Sequence, residues 1–213
     1  MSEITASGFS QPAIGTGPRP ERTGPLAERD LLAVRFGGTG LQGVILMGVA
    51  LAMAATRDHR YVAQTQTYGL GERGGYGHSD VIISDLPIDY PELETADLLV
   101  ALCQDAATGY AGLLRPEGIL VYDSENVTEP PAFAGSAFGI PFGRLAEEEV
   151  GLRDTTTIVL TLGAVVRITG VVSVESLQNT MLGMAVAGTE DANMRALARG
   201  LALEPDEWRR SCE

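Results

Sequence analysis

The chain has 213 residues, enough for one domain with a substantial buried core. Its formal net charge of −13 excludes the basic footprint that non-specific nucleic-acid binding needs. All fifteen basic residues are arginine, so mechanisms that use a Schiff-base lysine or a P-loop lysine are excluded. The two cysteines, Cys103 and Cys212, form no Cys-x-x-Cys pair, so this chain by itself ligates neither an iron–sulfur cluster nor a structural zinc ion. A disulfide is disfavoured because Cys103 follows an apolar strand as a small buried hydrophobe.

No apolar run typical of a secretory signal peptide stands at the N-terminus, so we expect a cytoplasmic location. The most membrane-like segment, residues 155–172, contains Arg167, several threonines and two glycines, and is short for a bilayer span. We therefore predict a core or interface helix there and no membrane insertion.

Residues 1–29 are poor in apolar side chains and predict a flexible N-terminal tail, with a partner-wrapping arm as the alternative. The following segment, residues 30–190, is the predicted main domain, and residues 191–213 are a C-terminal helix and tail. The predicted strands are residues 31–36, 60–67, 79–84, 96–102 and 118–122. The predicted helices are residues 41–55, 104–114, 145–150, 156–169, 174–187 and 192–203.

Short apolar strands that alternate with helices predict an α/β fold. We expect a mainly parallel, Rossmann-like sheet with helices on both faces and a helical C-terminal part. The helix at 41–55 is apolar on nearly every side and is therefore expected to be well buried.

The first glycine loop, residues 38–43, has the sequence GTGLQG and matches G-x-G-x-x-G between a strand and a helix. Such a turn lets a phosphate approach the backbone at a helix N-terminus. A dinucleotide site also needs an acid at the end of the next strand, and Asp58, about 20 residues on, precedes that strand. Tight strand-to-helix packing, another phosphate-bearing ligand and a partner surface are the other interpretations. The candidate cofactor-binding residues are Gly38, Gly40, Gln42 and Gly43.

The second glycine loop lies within residues 64–75, QTQTYGLGERGG, between two predicted strands. A loop this rich in glycine is costly in backbone entropy and indicates that something binds against it. Arg73 is suited to bidentate contact with a carboxylate or phosphate, and a solvated salt bridge with Glu72 is the alternative. The residues expected to face a ligand or partner are Thr67, Tyr68, Gly69, Glu72, Arg73, Gly74 and Gly75.

His59 and His78 are the only imidazoles, and neither has carboxylate or cysteine neighbours at metal-ligand spacing. A triad of Ser79, His78 and Asp80 can be written, but neighbours on a strand point to opposite faces. We therefore predict no metal site, and keep His78 as a candidate functional residue.

At these loops the chain resembles the gamma subunit, or gamma domain, of the 2-oxoacid:ferredoxin oxidoreductases. The segments that carry the resemblance are FGGTGLQG at 36–43, TQTYG at 65–69, ERGG at 72–75, SDVIIS at 79–84, IDYP at 88–91 and DLLVAL at 97–102. The resemblance covers about residues 30–187. The sequence departs from the family at Leu41, where glycine is usual, at His78, where a small residue is common, and at residues 70–71.

By this resemblance, the complete enzyme oxidatively decarboxylates a 2-oxoacid on thiamine diphosphate with Mg²⁺ and usually forms an acyl-CoA. Electrons pass through [4Fe–4S] clusters to ferredoxin or, through a further electron-transfer subunit, to NAD. These cofactors, with FAD as a further candidate, belong to the alpha, beta and delta-type subunits, and coenzyme A is the cosubstrate.

The resemblance implies that this chain is a non-catalytic gamma subunit whose loop at 69–75 faces a partner subunit or coenzyme A. The candidate substrates are 2-oxoglutarate, pyruvate and phenylglyoxylate. The alternative is a free-standing Rossmann-like nucleotide-binding dehydrogenase domain. We also expect the isolated subunit to aggregate, because helices such as 156–169 would expose apolar surface.

Overall fold

A computed structural model describes residues 19–39, 43–67, 76–151 and 154–210. The strands are β1 (Leu31–Gly38), β2 (Tyr61–Thr67), β3 (Gly77–Ser84), β4 (Ala96–Ala101), β5 (Leu114–Asp123), β6 (Ser136–Ile140) and β7 (Arg209–Arg210). They form one sheet with the order β2-β3-β1-β4-β5-β6-β7.

Five strands of the sheet run in one direction, namely β1, β2, β4, β5 and β6, whereas β3 and β7 run in the other. The predicted mainly parallel sheet is therefore confirmed. Strands β2 and β3 are antiparallel because the nine residues between them are too few for a crossover helix, so they form a hairpin.

Helices cover both faces of the sheet, as predicted. The helices are α1 (Val44–Arg57), α2 (Gln104–Tyr110), α3 (Phe142–Val150), α4 (Asp154–Thr169), α5 (Val174–Met184), α6 (Glu190–Leu201) and α7 (Pro205–Trp208). The larger core lies under α1 and α3–α6, and a smaller core lies between α2 and the opposite face of β4 and β5.

Strand β6 was not predicted, because residues 136–140 include serine and glycine and follow a proline-rich stretch. Its last four residues are nevertheless buried, and it pairs in parallel with β5.

The folded part of the chain includes residues before residue 29, the predicted end of the N-terminal tail. Leu26 is buried in the main core, and its backbone N–H donates to the Thr169 carbonyl at 2.9 Å. A Cβ built on Gly24 would lie 2.5 Å from the Thr169 carbonyl carbon, so the two backbones are in close contact. The residues from Gly24 onward therefore belong to the folded body.

Helix α4 does not expose the apolar surface that the sequence led us to expect. Its apolar side chains are buried inside this chain, where α6, α3 and α1 pack against it. Among the described residues, no helix is long and apolar enough to cross a membrane. Exposed apolar side chains occur instead on α1 and α5: Leu46, Met53, Val174 and Leu182.

Ion pairs hold the end of the sheet where β1 and β4 begin. The buried Asp97 carboxylate accepts hydrogen bonds from Arg29 at 2.7 Å, from Arg115 at 3.0 Å and from the Ala33 backbone N–H at 2.8 Å. Arg60, also buried, lies 2.7 Å from the Asp85 carboxylate.

Candidate functional site

The chain changes direction across the sheet at the carboxyl ends of β1 and β4. From β1 it crosses through α1 to β2 and β3 on one side, and it then returns to β4 on the other side. In open α/β sheets, ligands bind outside the carboxyl ends of the strands at such a switch point. The backbone N–H of Leu102, just after β4, donates to the Gly37 carbonyl at 2.8 Å and joins the two strand ends.

Both glycine loops leave the sheet at this edge. Gly38, the last residue of β1, pairs with Gly77 at the start of β3, and Thr67, the last residue of β2, pairs with His78. The described ends of the loops are therefore neighbours, although the loops are separate in sequence. The predicted site residues that lie outside the described residues are Gly40, Gln42, Tyr68, Gly69, Glu72, Arg73, Gly74 and Gly75.

Gly43 caps the N-terminus of α1 in a left-handed conformation, with φ of 68°. A Cβ at this position would lie 2.2 Å from the Ile158 side chain of α4. Glycine is therefore required here both by the backbone and by helix packing. This geometry supports the tight-packing interpretation of the first glycine loop.

A buried ion pair joins adjacent strands close to the strand ends from which the two loops leave. Arg35 of β1 and Asp80 of β3 are register partners, and the guanidinium donates two hydrogen bonds of 2.6 Å to the carboxylate. The guanidinium carbon also lies 4.7 Å from the centre of the Tyr110 ring. Arg35 thus links both strands to the C-terminal end of α2.

Aromatic side chains extend this cluster towards the second loop. The Nδ1 atom of His78 is 2.9 Å from the Tyr110 hydroxyl, and the ring of Tyr76 packs edge-on against Tyr110. Burial, and after it the Arg35 guanidinium, lower the pKa of His78, while Asp80 acts in the opposite direction. The imidazole is therefore neutral at pH 7, and its 3.6 Å separation from Asp80 is not an ion pair at that pH.

We call Arg35, Asp80, His78, Tyr110 and Tyr76 the switch-point cluster. It fixes the start of β3, where the chain returns from the second glycine loop. Sequence analysis singled out His78 but missed the other members as a group. A signal was present, because Arg35 and Asp80 each interrupt an apolar strand, but their pairing depends on a register that the sequence alone does not show.

Ser79 does not join His78 and Asp80, in agreement with the predicted alternation of strand faces. Its hydroxyl accepts a hydrogen bond from the Gln64 side chain at 2.8 Å, and it lies against Gly48 of α1 on the other face of the sheet. A Ser–His–Asp catalytic arrangement is therefore absent at these three residues.

Asp58 is engaged in a structural contact rather than directed to a nucleotide. Its buried carboxylate accepts hydrogen bonds from the Ser173 backbone N–H at 2.7 Å and from the Ser173 hydroxyl at 2.6 Å. Asp58 lies just after α1 and before β2, as the sequence indicated. It cannot also hold a ribose in the way that the dinucleotide fingerprint requires.

Cys103 is half-buried and free, at the carboxyl end of β4, and so is less buried than predicted. Burial raises the pKa of its thiol, an effect that the backbone amides of Ala106, Asp105 and Thr39 oppose in part. Such a thiol is mainly protonated at neutral pH and is a poor nucleophile. Within the described ranges, no three histidine, cysteine, aspartate or glutamate side chains are grouped as a metal site.

Comparison with known proteins gives a match over residues 33–203 to the family model for pyruvate ferredoxin/flavodoxin oxidoreductase. The chain belongs to this family. The match extends beyond residue 187, so the expected limit of the resemblance was too short. It also includes all of α6, which packs on α4 as part of the same core.

Individual relatives agree with this assignment. The chain is 39% identical over 170 residues to the 2-oxoglutarate synthase subunit KorC of Methanocaldococcus jannaschii, covering 78% of this chain and 90% of that protein. It is 32% identical to the ketoisovalerate oxidoreductase subunit VorA of Methanothermobacter thermautotrophicus, covering 83% of this chain but only 36% of that longer protein.

A solved structure gives the same result. The chain is similar to the gamma subunit of a keto/oxoacid ferredoxin oxidoreductase from Geobacter sulfurreducens, with a TM-score of 0.76 and 34% identity over 85% of this chain and all of that one. In sequence and in fold, this chain is of the gamma-subunit type.

Proposed function

We propose that this chain is the non-catalytic gamma subunit of a thiamine diphosphate-dependent 2-oxoacid:acceptor oxidoreductase. The observation that carries the proposal is the convergence of both glycine loops on the switch point of a fold shared with gamma subunits. The switch-point cluster ties the start of β3 to β1 and α2, and so supports the strand ends from which these loops leave. Thiamine diphosphate, Mg²⁺ and the [4Fe–4S] clusters, with or without FAD, are then held by alpha, beta and delta-type subunits.

Among the candidate substrates we favour 2-oxoglutarate. Three KorC relatives, all named as 2-oxoglutarate synthase subunits, are 37–39% identical to this chain, whereas the pyruvate/ketoisovalerate gamma subunits are 29% identical. Pyruvate and phenylglyoxylate are the competing substrates, and ferredoxin and NAD are the competing acceptors.

The exposed apolar side chains of α1 and α5 support assembly with other subunits. Leu46 and Met53 on α1 are each 41% exposed, and Leu182 on α5 is 48% exposed. Helix α1 begins directly after the first glycine loop and contacts α5. We propose that this surface and the loop at 69–75 form one docking face towards the catalytic subunits.

Purification of the native complex through a tag on this chain tests the proposal. We expect co-purification of brown, cluster-containing partners and CoA-dependent viologen reduction that is fastest with 2-oxoglutarate. We further propose that Arg73 binds a phosphate of coenzyme A. Arg73→Ala should then raise the KM for coenzyme A on the order of tenfold, because a bidentate contact would be lost. Arg144→Ala is the control, since Arg144 is an exposed arginine on α3 whose ion pair with Glu148 is also exposed.

Two results would reject the proposal. One is an isolated chain that binds NAD and reduces or oxidises a metabolite alone, as the free-standing dehydrogenase alternative requires. The other is an Arg73→Ala complex with unchanged assembly, turnover and coenzyme A affinity, which would remove the loop from the docking face.

A further inference from the structure

A groove of about 510 Å³ lies at the end of the sheet where β1 and β4 begin. Leu31 and Ala33 of β1, with their register partners Ser84 and Ile82 of β3, form its floor. Because side chains alternate along a strand, this floor is on the face of the sheet opposite to the larger core. The connection from β3 to β4 supplies the wall of the groove.

Three large apolar side chains in this groove are exposed: Leu31 at 53%, Leu86 at 72% and Tyr90 at 59%. Single exposed apolar residues are common on protein surfaces, but a group of them in one groove is typical of an interaction site. The helix on this face, α2, packs on β4 and β5 and meets β1 at the other end, near Gly37. No residue of α2 lines the groove, so this helix leaves it open to solvent.

The rim of the groove is strongly acidic. Four carboxylates line it, and in the described part of the chain none of them forms an ion pair with an arginine: Asp30, Asp89, Glu92 and Glu94. The basic residue of the lining, Arg115, donates to the buried Asp97 carboxylate at 3.0 Å and is therefore already paired. The four rim carboxylates thus have no counter-charge within the groove.

We propose that this groove binds a segment of another protein that presents arginine or lysine side chains beside an apolar surface. The stems of such side chains would cover Leu86 and Tyr90 while their charged ends meet the carboxylates. Residues 1–18 of this chain contain one glutamate and no basic residue, so they lack the complementary charge. Two copies of this chain, each with a net charge of −13, repel each other.

The inference goes beyond the proposed function. The groove includes no residue of the glycine loops or of the switch-point cluster, and it lies at the opposite end of the sheet from them. A protein bound there would leave the proposed docking face free.

A designed peptide tests the complementary charge. The probe is an amphipathic peptide of leucine and lysine, about 14 residues long and labelled for fluorescence anisotropy. Its counterpart has glutamate in place of lysine. At about 0.15 M salt we expect the full chain to bind the lysine peptide at least about tenfold more tightly than the glutamate peptide.

Matched charge variants separate the groove from the general negative charge of the chain. Glu92→Gln/Glu94→Gln should weaken binding of the lysine peptide on the order of tenfold, because two rim charges are lost. Asp206→Asn/Glu207→Gln is the control, since it removes two exposed charges from α7, and it should change the affinity less than about twofold.

A second matched pair tests the apolar contact. Leu86→Ala should weaken binding of the lysine peptide on the order of fivefold, because apolar surface in the groove is lost. Val186→Ala is the control, at a side chain outside the groove that is also 72% exposed, and it should have no effect.

Cross-linking identifies the occupant in the native complex. A photoreactive phenylalanine analogue replaces Leu86, the complex is purified through a tag on this chain, and the cross-linked peptide is sequenced by mass spectrometry. We expect a segment of a co-purified protein that has a net positive charge and apolar residues.

Equal effects of the groove variants and their controls on peptide binding overturn the inference, and so does equal affinity for the two peptides. A cross-link to any segment of this chain, to a segment without basic residues, or to nothing also overturns it. None of these results bears on the proposed function, which is tested through assembly, turnover and coenzyme A affinity.

Discussion

Substitution of the buried ion pair between Arg35 and Asp80 is the clearest test of what stabilises this fold. The two side chains are 9% and 6% exposed, respectively, and share two hydrogen bonds of 2.6 Å. Asp80→Asn keeps the size of the side chain but removes its charge. The Arg35 guanidinium then stays buried without a counter-charge, apart from its contact with the Tyr110 ring.

Removal of one partner of a buried ion pair costs about 3–5 kcal/mol, because the other charge is left uncompensated. The free energy of unfolding of an ordinary domain is about 5–15 kcal/mol, so this loss is a large share of it. Arg35→Met should lower the free energy of unfolding by a similar amount, because it leaves the buried Asp80 carboxylate without a counter-charge. The double variant Arg35→Met/Asp80→Leu removes both charges and should recover most of the loss, to within about 2 kcal/mol of the unmodified chain.

Urea unfolding followed by circular dichroism at pH 7.5 measures these differences. The exposed pair of Arg144 and Glu148, with a separation of 3.8 Å, is the control. Arg144→Ala should change the free energy of unfolding by less than about 1 kcal/mol. The reasoning fails if Asp80→Asn costs less than about 1 kcal/mol. It also fails if the double variant is as unstable as the sum of the single variants.

Three further predictions concern other parts of the structure. Gly48→Ala should lower the free energy of unfolding in urea by about 1–3 kcal/mol, because the new Cβ would lie 2.0 Å from the Ser79 hydroxyl. Gly183→Ala, in an uncrowded helix position, should instead raise it by about 0.5–1 kcal/mol. Asp58→Ala should lower the free energy of unfolding by about 2–3 kcal/mol, because it leaves the buried Ser173 N–H without an acceptor. The same variant should not change any affinity for a nucleotide, since Asp58 is a structural residue. Because the pKa of His78 is lower in the folded chain than the usual value of about 6.5, the unfolded chain takes up this proton first as the pH falls. His78 therefore reduces stability below about pH 6.5, and His78→Asn should lessen the fall in the urea midpoint between about pH 7.5 and about pH 5.5.

The order of strands and helices was largely predictable, because β1, β3, β4 and β5 contain apolar runs and the segments between them carry helical or turn-forming sequences. The sequence did not show which strands pair with one another. The hairpin of β2 and β3 follows from a loop too short for a crossover. Strand β6 is buried because it lies between β5 and β7 and its side chains enter both cores.

The same limit applies to the candidate site. Glycine spacing located the two loops, since each glycine-rich segment follows a strand. The cluster beneath them was not predictable from spacing, because Arg35 and Asp80 are 45 residues apart and meet only through the register of β1 and β3. The same register explains why Ser79, next to Asp80, faces α1 and Gln64 instead.

The two ends of the sheet differ in a way that bears on function. Where β1 and β4 begin, the buried Asp97 carboxylate is held by two partly exposed arginines and one backbone amide, so movement there would deprive a buried charge of its partners. At the switch point the described contacts next to the loops are uncharged: Gly38 pairs with Gly77, and His78 meets Tyr110. For the proposed docking face, we therefore expect adjustment to cost less at the carboxyl edge than at the end where β1 and β4 begin.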